Sequence, residues 1–547
     1  MDAPVGPTRE SFKDPEPRRR VPLGREPLLS PSADVLLRYN ARVLDPATAV
    51  RVPAQVTIRP TVYIGDRLIV SGSATDAAKS ALQDAAKRNG LQVVIDDRSR
   101  HRRTAELARR AGLDEFPALF SETVRLVPAS GGPSAPPDAW LVLQTFRALL
   151  GPGEATGQVC LDHLMTATPY TSGSPYTSGS PYTSGSPYTS GSPFSGSPSG
   201  QYGVAGWGGR TPVTWLGPAP YIRPDAEMPC RRPVVAVLDT GVGEHPWLPP
   251  EIVVRDVSVL GVPIGIQNPA TDPEVSGVID DQYEGVLDPD AGHGTFIAGL
   301  IRQMCPDATI LAIRVMLSDG VVAEGDLLDA LKLLVIRQHV AQTAGDPRGA
   351  IDVVSLSLGY YHEQPDDVTF DPLLLGVLRE LGVRGVAVVA AAGNDSTDRP
   401  MFPAAFTPYA GGQISSYDPN VVPLVSVGAL NSDGTIALFS NAGPWVSCHR
   451  PGASLVSTFP VTYNASAQPT YRVEVPGEIE RATSDPDNFV SGFGTWSGTS
   501  FSAPLLAGEL AASLLSGECG PIDPVDQANA VNRAWNAITA RLGVLRS

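Results

Sequence analysis

The part of the chain after Pro233 alternates short, almost wholly apolar segments with stretches of helical periodicity, and this alternation restricts the fold more than any other feature. The apolar segments are PVVAVLD, TILAIRVM, IDVVSLSL, GVAVVAAAG and PLVSVGAL. Helical patterns such as GDLLDALKLLVIRQHVA and DPLLLGVLREL lie between them. Strands that are apolar on both faces are typical of a parallel sheet covered by helices on both sides. The sequence therefore predicts an α/β domain with a mostly parallel sheet over residues 230–515.

A chain of 547 residues exceeds the roughly 250 to 300 residues at which a single hydrophobic core stops growing, so further units are expected. Residues 1–30 have little apolar periodicity and predict a flexible tail. Residues 31–150 predict a small α+β domain, with strand patterns in VTIRPTVYIG, DRLIVSG, LQVVID and VRLVPAS. Its helices are predicted in TDAAKSALQDAAKRNG, which Gly90 ends, and in PPDAWLVLQTFRALL, where Asp138 can serve as the N-cap.

Residues 151–229 are predicted to be a linker, because they contain four tandem PYTSGS repeats that begin at Pro169. Glycine and serine keep such a segment flexible, and a proline in every sixth position disfavours helices and central strands. The repeat is far too short for a solenoid. Either a plain spacer or a protease-sensitive, substrate-like segment fits this composition. Residues 516–547 are predicted to form a C-terminal helix.

Charge and composition limit the partners of the protein. The net charge of -16 argues against a nucleic-acid or anionic-membrane partner, since both select basic surfaces. The first residues lack the apolar stretch of about 7 to 15 residues that a secretory signal needs, which favours a cytoplasmic location. The five cysteines are odd in number and widely spaced, which predicts buried free thiols rather than zinc ligands or a disulfide framework. They are Cys160, Cys230, Cys305, Cys448 and Cys519.

Four segments carry residues suited to hydrolysis by a serine, which requires a base, a carboxylate to orient it and donors for the oxyanion. Asp239 ends a buried strand in VVAVLDTGVGEHPWL, and His293 lies between two glycines in GHGTFIAGLI. Asn394 follows a glycine in AAAGND. Ser500 in GTSFSAPLLAGELAASLL begins a helix, where free N–H groups favour negative charge.

These segments resemble the subtilase family of serine proteases over about residues 230 to 515. DTGV with a following HP, GHGT, SLG, AAAGN, FSNAGPWV, PGASLVST and GTSFSAP occur in the order of the family. The resemblance implies a subtilisin-like three-layer domain that hydrolyses peptide or protein substrates. It also implies that Ser500 is the nucleophile, His293 the general base and Asp239 the orienting carboxylate, while Asn394 helps to hold the oxyanion.

By the same resemblance, two segments grip the backbone of an extended substrate and frame its first specificity pocket. They are Ser357, Leu358 and Gly359, and Ala391, Ala392 and Gly393. The family also implies that His245 in the HP turn is structural. The remaining histidines are interpreted as ordinary surface or packing residues: His101, His163, His339, His362 and His449.

The chain departs from the family in two insertions, an acidic one from Asp256 to Asp290 and another from about Val461 to Phe493. Many subtilases bind calcium, but the acidic insertion has no fixed ligand spacing. A solvated loop is therefore favoured over a calcium site, and no cofactor or metal is expected. Three questions stay open: whether the enzyme is active or an inactive binding module, whether it is degradative or a dedicated maturase, and whether residues 31–150 are a prodomain-like intramolecular inhibitor or an unrelated recognition domain.

Overall fold

The structure is a computed structural model. It describes residues 26, 27, 29, 31–51, 57–95, 101–130, 136–151, 157–167, 202, 208–279, 283, 285–364, 372–410, 413, 414, 418–473, 477, 480–516, 526–544 and 546. The strands in chain order are β1 (Ala41–Leu44), β2 (Thr61–Val70), β3 (Leu91–Ile95), β4 (Glu122–Pro128), β5 (Val159–Ala167), β6 (Thr211–Pro212), β7 (Val234–Asp239), β8 (Val253–Val254), β9 (Ser258–Val259), β10 (Val262–Pro263), β11 (Thr309–Arg314), β12 (Val321–Ala323), β13 (Val353–Leu356), β14 (Leu358–Gly359), β15 (Ala387–Ala391), β16 (Tyr409–Ala410), β17 (Gln413–Ile414), β18 (Val425–Leu430), β19 (Cys448–Pro451), β20 (Leu455–Thr458), β21 (Arg472–Val473), β22 (Arg481–Ala482) and β23 (Phe493–Trp496). The helices are α1 (Ala33–Arg38), α2 (Asp76–Arg88), α3 (His101–Arg110), α4 (Ala139–Leu150), α5 (Pro273–Ser276), α6 (His293–Met304), α7 (Glu324–Ala344), α8 (Pro372–Val383), α9 (Thr499–Leu514) and α10 (Gln527–Leu542).

Residues 230–515, the predicted catalytic part, are built on a seven-stranded sheet. Its strand order is β19-β18-β15-β13-β7-β11-β8, and every pair in it is parallel. Alternate residues of β7 face two different cores. Val234, Ala236 and Leu238 pack with α7 and α8, whereas Val235 and Val237 pack with α6, α9 and α10. The predicted three-layer α/β domain is therefore confirmed.

The N-terminal part, which runs to Ala167, contains an antiparallel sheet. Its strand order is β3-β4-β2-β5, and β1 pairs with β2. Helices α2 and α4 cover one face of it with buried side chains such as Leu82 and Phe146. The side chain of Asp138 accepts hydrogen bonds from the N–H groups of Trp140 and Leu141, as expected of the N-cap of α4. The α+β pattern predicted for this region is confirmed.

Two features differ from the sequence-based expectations, and one predicted segment is not described. Strand β5 belongs to the N-terminal sheet although it lies within the predicted linker, and its pattern was missed because Asp162 and His163 interrupt its apolar run even though both are buried. The PYTSGS repeats lie outside the described residues. Cys230 is disulfide-bonded, so the prediction of free thiols is wrong there, since spacing alone cannot show which cysteines meet in space. Cys160, Cys305 and Cys448 are free.

The two parts share one sheet. Strand β12 and strand β14 of the catalytic part pair antiparallel with β5, the last strand of the N-terminal part. The N-terminal part is thereby joined to the catalytic part by main-chain hydrogen bonds as well as by side chains. Within the described ranges, no helix combines the length and apolarity needed to cross a membrane.

Candidate active site

Asp239 and His293 meet at the carboxyl edge of the parallel sheet. Asp239 is the last residue of β7, and His293 is the first residue of α6. The distance from Nδ1 of His293 to Oδ1 of Asp239 is 2.7 Å, and both side chains are buried. The N–H of Thr240 also donates to Oδ1 of Asp239, at 2.8 Å. The carboxylate is therefore held by its own strand end and is aimed at the imidazole.

Glycine is required where the two segments cross. A Cβ on Gly294 would lie 2.0 Å from the carbonyl oxygen of Gly241, so any side chain after His293 would push the segments apart. Gly241 itself has a φ of +112°, a conformation that side-chain-bearing residues rarely adopt. The glycines of the two motifs thus permit the contact between Asp239 and His293.

The surroundings of His293 favour its protonated form. Its ring lies against the rings of Trp496 and Phe501, with centroids 5.7 and 5.3 Å away. Burial alone would lower the pKa of this imidazole, but the charge of Asp239 and its hydrogen bond outweigh burial, and the pKa is raised. Asp290 also contributes to the increase. An imidazole in such a setting is a stronger base than a free histidine.

Ser500 is the second residue of α9, on the face of the sheet that also carries α6. Its side chain is buried, and its carbonyl oxygen accepts a hydrogen bond from Oγ of Ser357 at 2.8 Å. The N–H groups of the first helical turn have no acceptor within an α-helix. Nε2 of His293 is buried and has no hydrogen-bond partner among the described residues. That nitrogen is the one a catalytic serine would use.

Asn394 lies beside the start of α9. Its Oδ1 accepts hydrogen bonds from the N–H and from the hydroxyl of Thr499, both at 2.9 Å. Because the oxygen is held by Thr499, the amide nitrogen is the end that can donate to a ligand. The hydroxyl of Thr499 in turn accepts from the N–H of Gly393, at 3.0 Å. The structure thus brings Asn394 next to the residue that precedes Ser500.

The predicted substrate-binding residues fall into two groups. Leu358 and Gly359 form β14, which pairs with Ala167 and Thr166 of β5. Ala391 ends strand β15, Ala392 and Gly393 follow it, and all three are buried. Strand β12 is a further edge that the sequence reasoning missed, and the DG pair before it was the available signal of a turn.

The N-terminal part occupies the edge that was predicted to bind substrate. The N–H of Ala167 donates to the carbonyl of Gly320 at 2.6 Å, and β5 lies between β12 and β14. Ser357, next to β14, contacts the backbone of Ser500. Ala167, the last residue of β5, thus pairs with Leu358, and the neighbour of Leu358 contacts the backbone of Ser500.

Side chains reinforce this contact between the two parts. The two ring nitrogens of buried His163 lie 2.7 Å from Oε2 of Glu324 and 3.0 Å from Oε2 of Glu363. Arg147 contacts the other oxygen of Glu363, at 3.3 Å. The interpretation of His163 as an ordinary packing residue is wrong, because its partners lie more than 150 positions away in the chain and no local pattern reveals them.

Among the described residues, His163, His362 and Glu363 stand close enough together to be considered as metal ligands. Both nitrogens of His163 are already directed at carboxylates, and Nδ1 of His362 accepts from the N–H of Gln364 at 3.0 Å. The cluster is thus satisfied by its own charges and hydrogen bonds.

The acidic insertion is also less solvated than expected. Glu274, Asp288 and Asp290 are buried, and Glu274 reaches the hydroxyl groups of Thr240 and Thr295. Burial raises the pKa of Glu274 to about 8 and that of Asp290 to about 7, although nearby donors and cations oppose the shift. The expectation of a solvated loop is wrong for these three residues, because composition gives no information on which carboxylates fold inward.

His245 is structural, as expected. Its Nδ1 accepts from the N–H of Trp247 at 3.0 Å, and burial lowers its pKa to about 4. It therefore stays neutral and holds the turn that follows β7.

A parallel α/β sheet whose carboxyl edge carries this aspartate, histidine and serine defines a protein of the subtilisin-like class. The family model described as "Subtilase family" (Peptidase_S8) matches residues 231–518, just over half of the chain, and the chain belongs to this family.

Known relatives and structures are similar over part of the chain. The minor extracellular protease Epr of Bacillus subtilis (strain 168) is 26% identical over 247 residues, which are 43% of this chain and 29% of that protein. An intracellular serine protease of Paenibacillus polymyxa is 26% identical over 292 residues, 51% of this chain and 65% of that protein. The chain therefore spans less than two thirds of the length of either. A cold adapted subtilisin-like serine proteinase of solved structure has a TM-score of 0.32 and 21% identity, covering 55% of this chain and 79% of its own.

Proposed function

We propose that the chain is a serine endopeptidase that hydrolyses peptide bonds through an acyl-enzyme on Ser500. The observation that carries the proposal is the hydrogen bond of 2.7 Å between His293 and Asp239, which leaves Nε2 of a buried imidazole available near the start of α9. This is the arrangement a serine hydroxyl needs to lose its proton. Membership of the subtilase family supports the same reaction class.

In the proposed mechanism, His293 takes the proton of Ser500 as Oγ attacks the scissile carbonyl carbon. Asp239 fixes the tautomer with the proton on Nδ1 and stabilises the imidazolium that forms. His293 then gives its proton to the leaving amine, and the acyl-enzyme remains on Ser500. Water repeats the sequence with His293 as the base, and the acid product leaves.

The negative charge that develops on the carbonyl oxygen is assigned to two donors. One is the backbone N–H of Ser500, which lies in the first turn of α9 where the helix dipole also favours an anion. The other is the side-chain amide nitrogen of Asn394, whose orientation follows from the two hydrogen bonds that Thr499 makes with its oxygen. Both donors are fixed before the reaction, which is what gives such a site its effect on rate.

We further propose that the N-terminal part is an intramolecular inhibitor that covers the cleft. Support comes from the pairing of Thr166 and Ala167 with β14, since an extended substrate would add to the same edge. Ion pairs between the parts, such as Arg147 with Glu363, add to the contact. Cleavage within the segment after Ala167 would end the covalent tether and lower the local concentration of the inhibitor.

A restricted choice of substrates, as in a processing protease, is a further proposal. The two insertions pack on each other, because Tyr463 donates to the carbonyl of Pro273 at 2.6 Å and Ser466 donates to that of Gly285 at 2.9 Å. The two insertions therefore pack together beside α6, the helix that begins at His293. The cytoplasmic location stays a prediction, and the disulfide bond at Cys230 counts against it, because such bonds are rare in reducing compartments.

The direct test is labelling with a fluorophosphonate probe, which reacts only with an activated serine. Wild-type protein should incorporate the probe once per chain at Ser500, and Ser500→Ala should not incorporate it. Binding of peptides without any labelling or hydrolysis would instead indicate an inactive subtilase-fold binding module.

A further inference from the structure

Glu274 lies in the acidic insertion, yet it touches both catalytic segments. Its Oε1 is 2.5 Å from Oγ1 of Thr240, the residue after Asp239, and Oε2 contacts Oγ1 of Thr295, two residues after His293. The N–H of Gly292, just before His293, donates to Oε1 at 3.2 Å. We propose that Glu274 is a positioning residue for peptide hydrolysis, which holds the Asp239 and His293 segments together and controls the basicity of His293. This inference rests on the proposed function.

The hydrogen bonds around Thr240 leave few alternatives. Its hydroxyl oxygen accepts from the N–H of Gly294 at 2.9 Å, so its single hydrogen must go to Glu274 at 2.5 Å or to Oδ1 of Asp239 at 3.2 Å. Oδ1 of Asp239 already accepts from Thr240 N–H and from His293 Nδ1, which uses its two lone pairs. The hydroxyl hydrogen is therefore assigned to Glu274.

The hydroxyl of Thr295 is placed in the same way. It accepts from the N–H of Gly243 at 2.8 Å, and Glu274 is its acceptor. An ionised Glu274 can thus accept all three hydrogens that point at it, from Thr240, Thr295 and Gly292. A protonated Glu274 carries its own hydrogen, and where that hydrogen lies in the contact with Thr240 or Thr295, the hydroxyl hydrogen of that threonine must turn away. For Thr240 the remaining acceptor is Asp239, and a third hydrogen bond there would weaken the hold of that carboxylate on His293.

The ionised form of Glu274 should therefore be the form that favours catalysis. Its negative charge stabilises the imidazolium that His293 becomes in the transition state, and it keeps the Thr240 hydroxyl away from Asp239. Because burial raises the pKa of Glu274 to about 8, both effects are absent well below that pH and present above it. The turnover number should rise as the pH passes through about 8.

Other charged groups face Glu274 from every neighbouring element. Asp272 is the N-cap of α5, the short helix that contains Glu274, and its side chain accepts from the N–H of Glu274 at 3.0 Å. The charge of Asp272 raises the pKa of Glu274 further. Asp239 comes from β7, and the charge of Glu274 in turn raises the pKa of His293 on α6. Arg314 on β11 and Tyr463 in the second insertion also lie within range of its charge.

The test compares the pH profile of kcat for wild type, Glu274→Gln and Asp272→Asn, each in the full chain and each normalised to probe-reactive serine. Glutamine does not ionise and cannot accept both hydroxyl hydrogens, so Glu274→Gln should lack the rise in kcat near pH 8, and its deficit relative to wild type should be much smaller at pH 6.5 than at pH 9. At pH 9 its kcat should be about tenfold lower, with KM unchanged, as one pKa unit of lost stabilisation gives. Asparagine preserves the cap at Asp272 but removes a charge, so the rise should move to lower pH.

Glu251→Gln, on the exposed surface, is the matched control and should follow wild type throughout. A constant ratio of Glu274→Gln to wild type at every pH, or a wild-type profile without an ionisation near pH 8, would overturn the inference. Turnover by Ser500→Ala would instead refute the proposed function. The two failures are therefore distinguishable.

Discussion

Nδ1 of His163, on the last strand of the N-terminal part, lies 2.7 Å from Oε2 of Glu324, the first residue of α7. Nε2 of the same ring is 3.0 Å from Oε2 of Glu363, so one imidazole joins two carboxylates of the catalytic part. Burial would lower the pKa of His163, but these two hydrogen bonds and charges outweigh burial and raise it to about 10. Burial by itself would raise the pKa of the Glu363 carboxyl group. The neighbouring His362 and His163 outweigh burial and hold this pKa well below its usual range.

Docking of the N-terminal part should therefore depend on pH. Because docking raises the pKa of His163, this residue stabilises the docked state fully below the ordinary histidine pKa of about 6.5. That stabilisation is lost as the pH rises through about 10. The lowered pKa of Glu363 stabilises the docked state fully above about pH 4.5, and this stabilisation is lost in stronger acid. We expect inhibition of the cleaved enzyme by its own N-terminal part to be strongest between about pH 4.5 and 6.5 and to weaken as the pH rises further toward about 10, as measured by the inhibition constant across pH.

His163→Ala should weaken this inhibition by about 10²- to 10³-fold, because it leaves Glu324 and Glu363 buried without their partner. The measurement is inhibition of wild-type enzyme by the variant N-terminal part at pH 7. His101→Ala is a control from the same part of the chain. Equal inhibition by His163→Ala and wild type would show that the contact contributes nothing to docking.

The end point of the inhibitory fragment is also predicted. Residues 1–167 include β5, which supplies all of the strand pairing with β12 and β14, whereas residues 1–150 lack it. The longer fragment should inhibit the active enzyme at micromolar concentration, and the shorter one should not. Comparable inhibition by both fragments would place the inhibitory contact elsewhere than on β5.

The sequence was sufficient for the catalytic sheet, because strands buried on both faces and helices with one apolar side leave clear local patterns. Strand β7 and the segments around β15 and α9 occur where those patterns indicate them. Strand β12 was not predicted, since it has only three residues and exists through its pairing with β5, whereas Leu358 of β14 lies within the predicted segment IDVVSLSL. Pairing between distant segments is a tertiary property that a local pattern does not contain.

The site was predictable to the extent that its residues lie in distinctive motifs. The contact of His293 with Asp239 was expected from the order of the motifs. Glu274 was missed, since it belongs to an insertion without a fixed pattern, and only the fold shows that it lies behind Thr240. A carboxylate in an acidic loop looks solvated in the sequence, whatever its eventual burial.

Ser500→Ala and His293→Ala should each abolish turnover, with a loss of about 10⁶ in kcat, because each removes one part of a single proton-transfer unit. The double variant should be no worse than either single variant, as the residues act together. Unfolding midpoints and circular dichroism serve as the control for folding. Peptidase activity near the wild-type level in either purified variant would refute the assignment of the triad.

Asn394→Ala should behave differently, because it removes a donor to the transition state and leaves the nucleophile and base in place. We expect kcat to fall by about 10² to 10³ with little change in KM, the typical loss for one oxyanion donor. Thr499→Ser is the matched control, since it keeps the hydroxyl that orients the amide of Asn394. Thr499→Val, which keeps the shape and loses that hydroxyl, should lower kcat by a smaller factor, because the backbone N–H of residue 499 still holds Oδ1. A rise in KM at constant kcat for Asn394→Ala would mean that this amide binds the substrate and not the oxyanion.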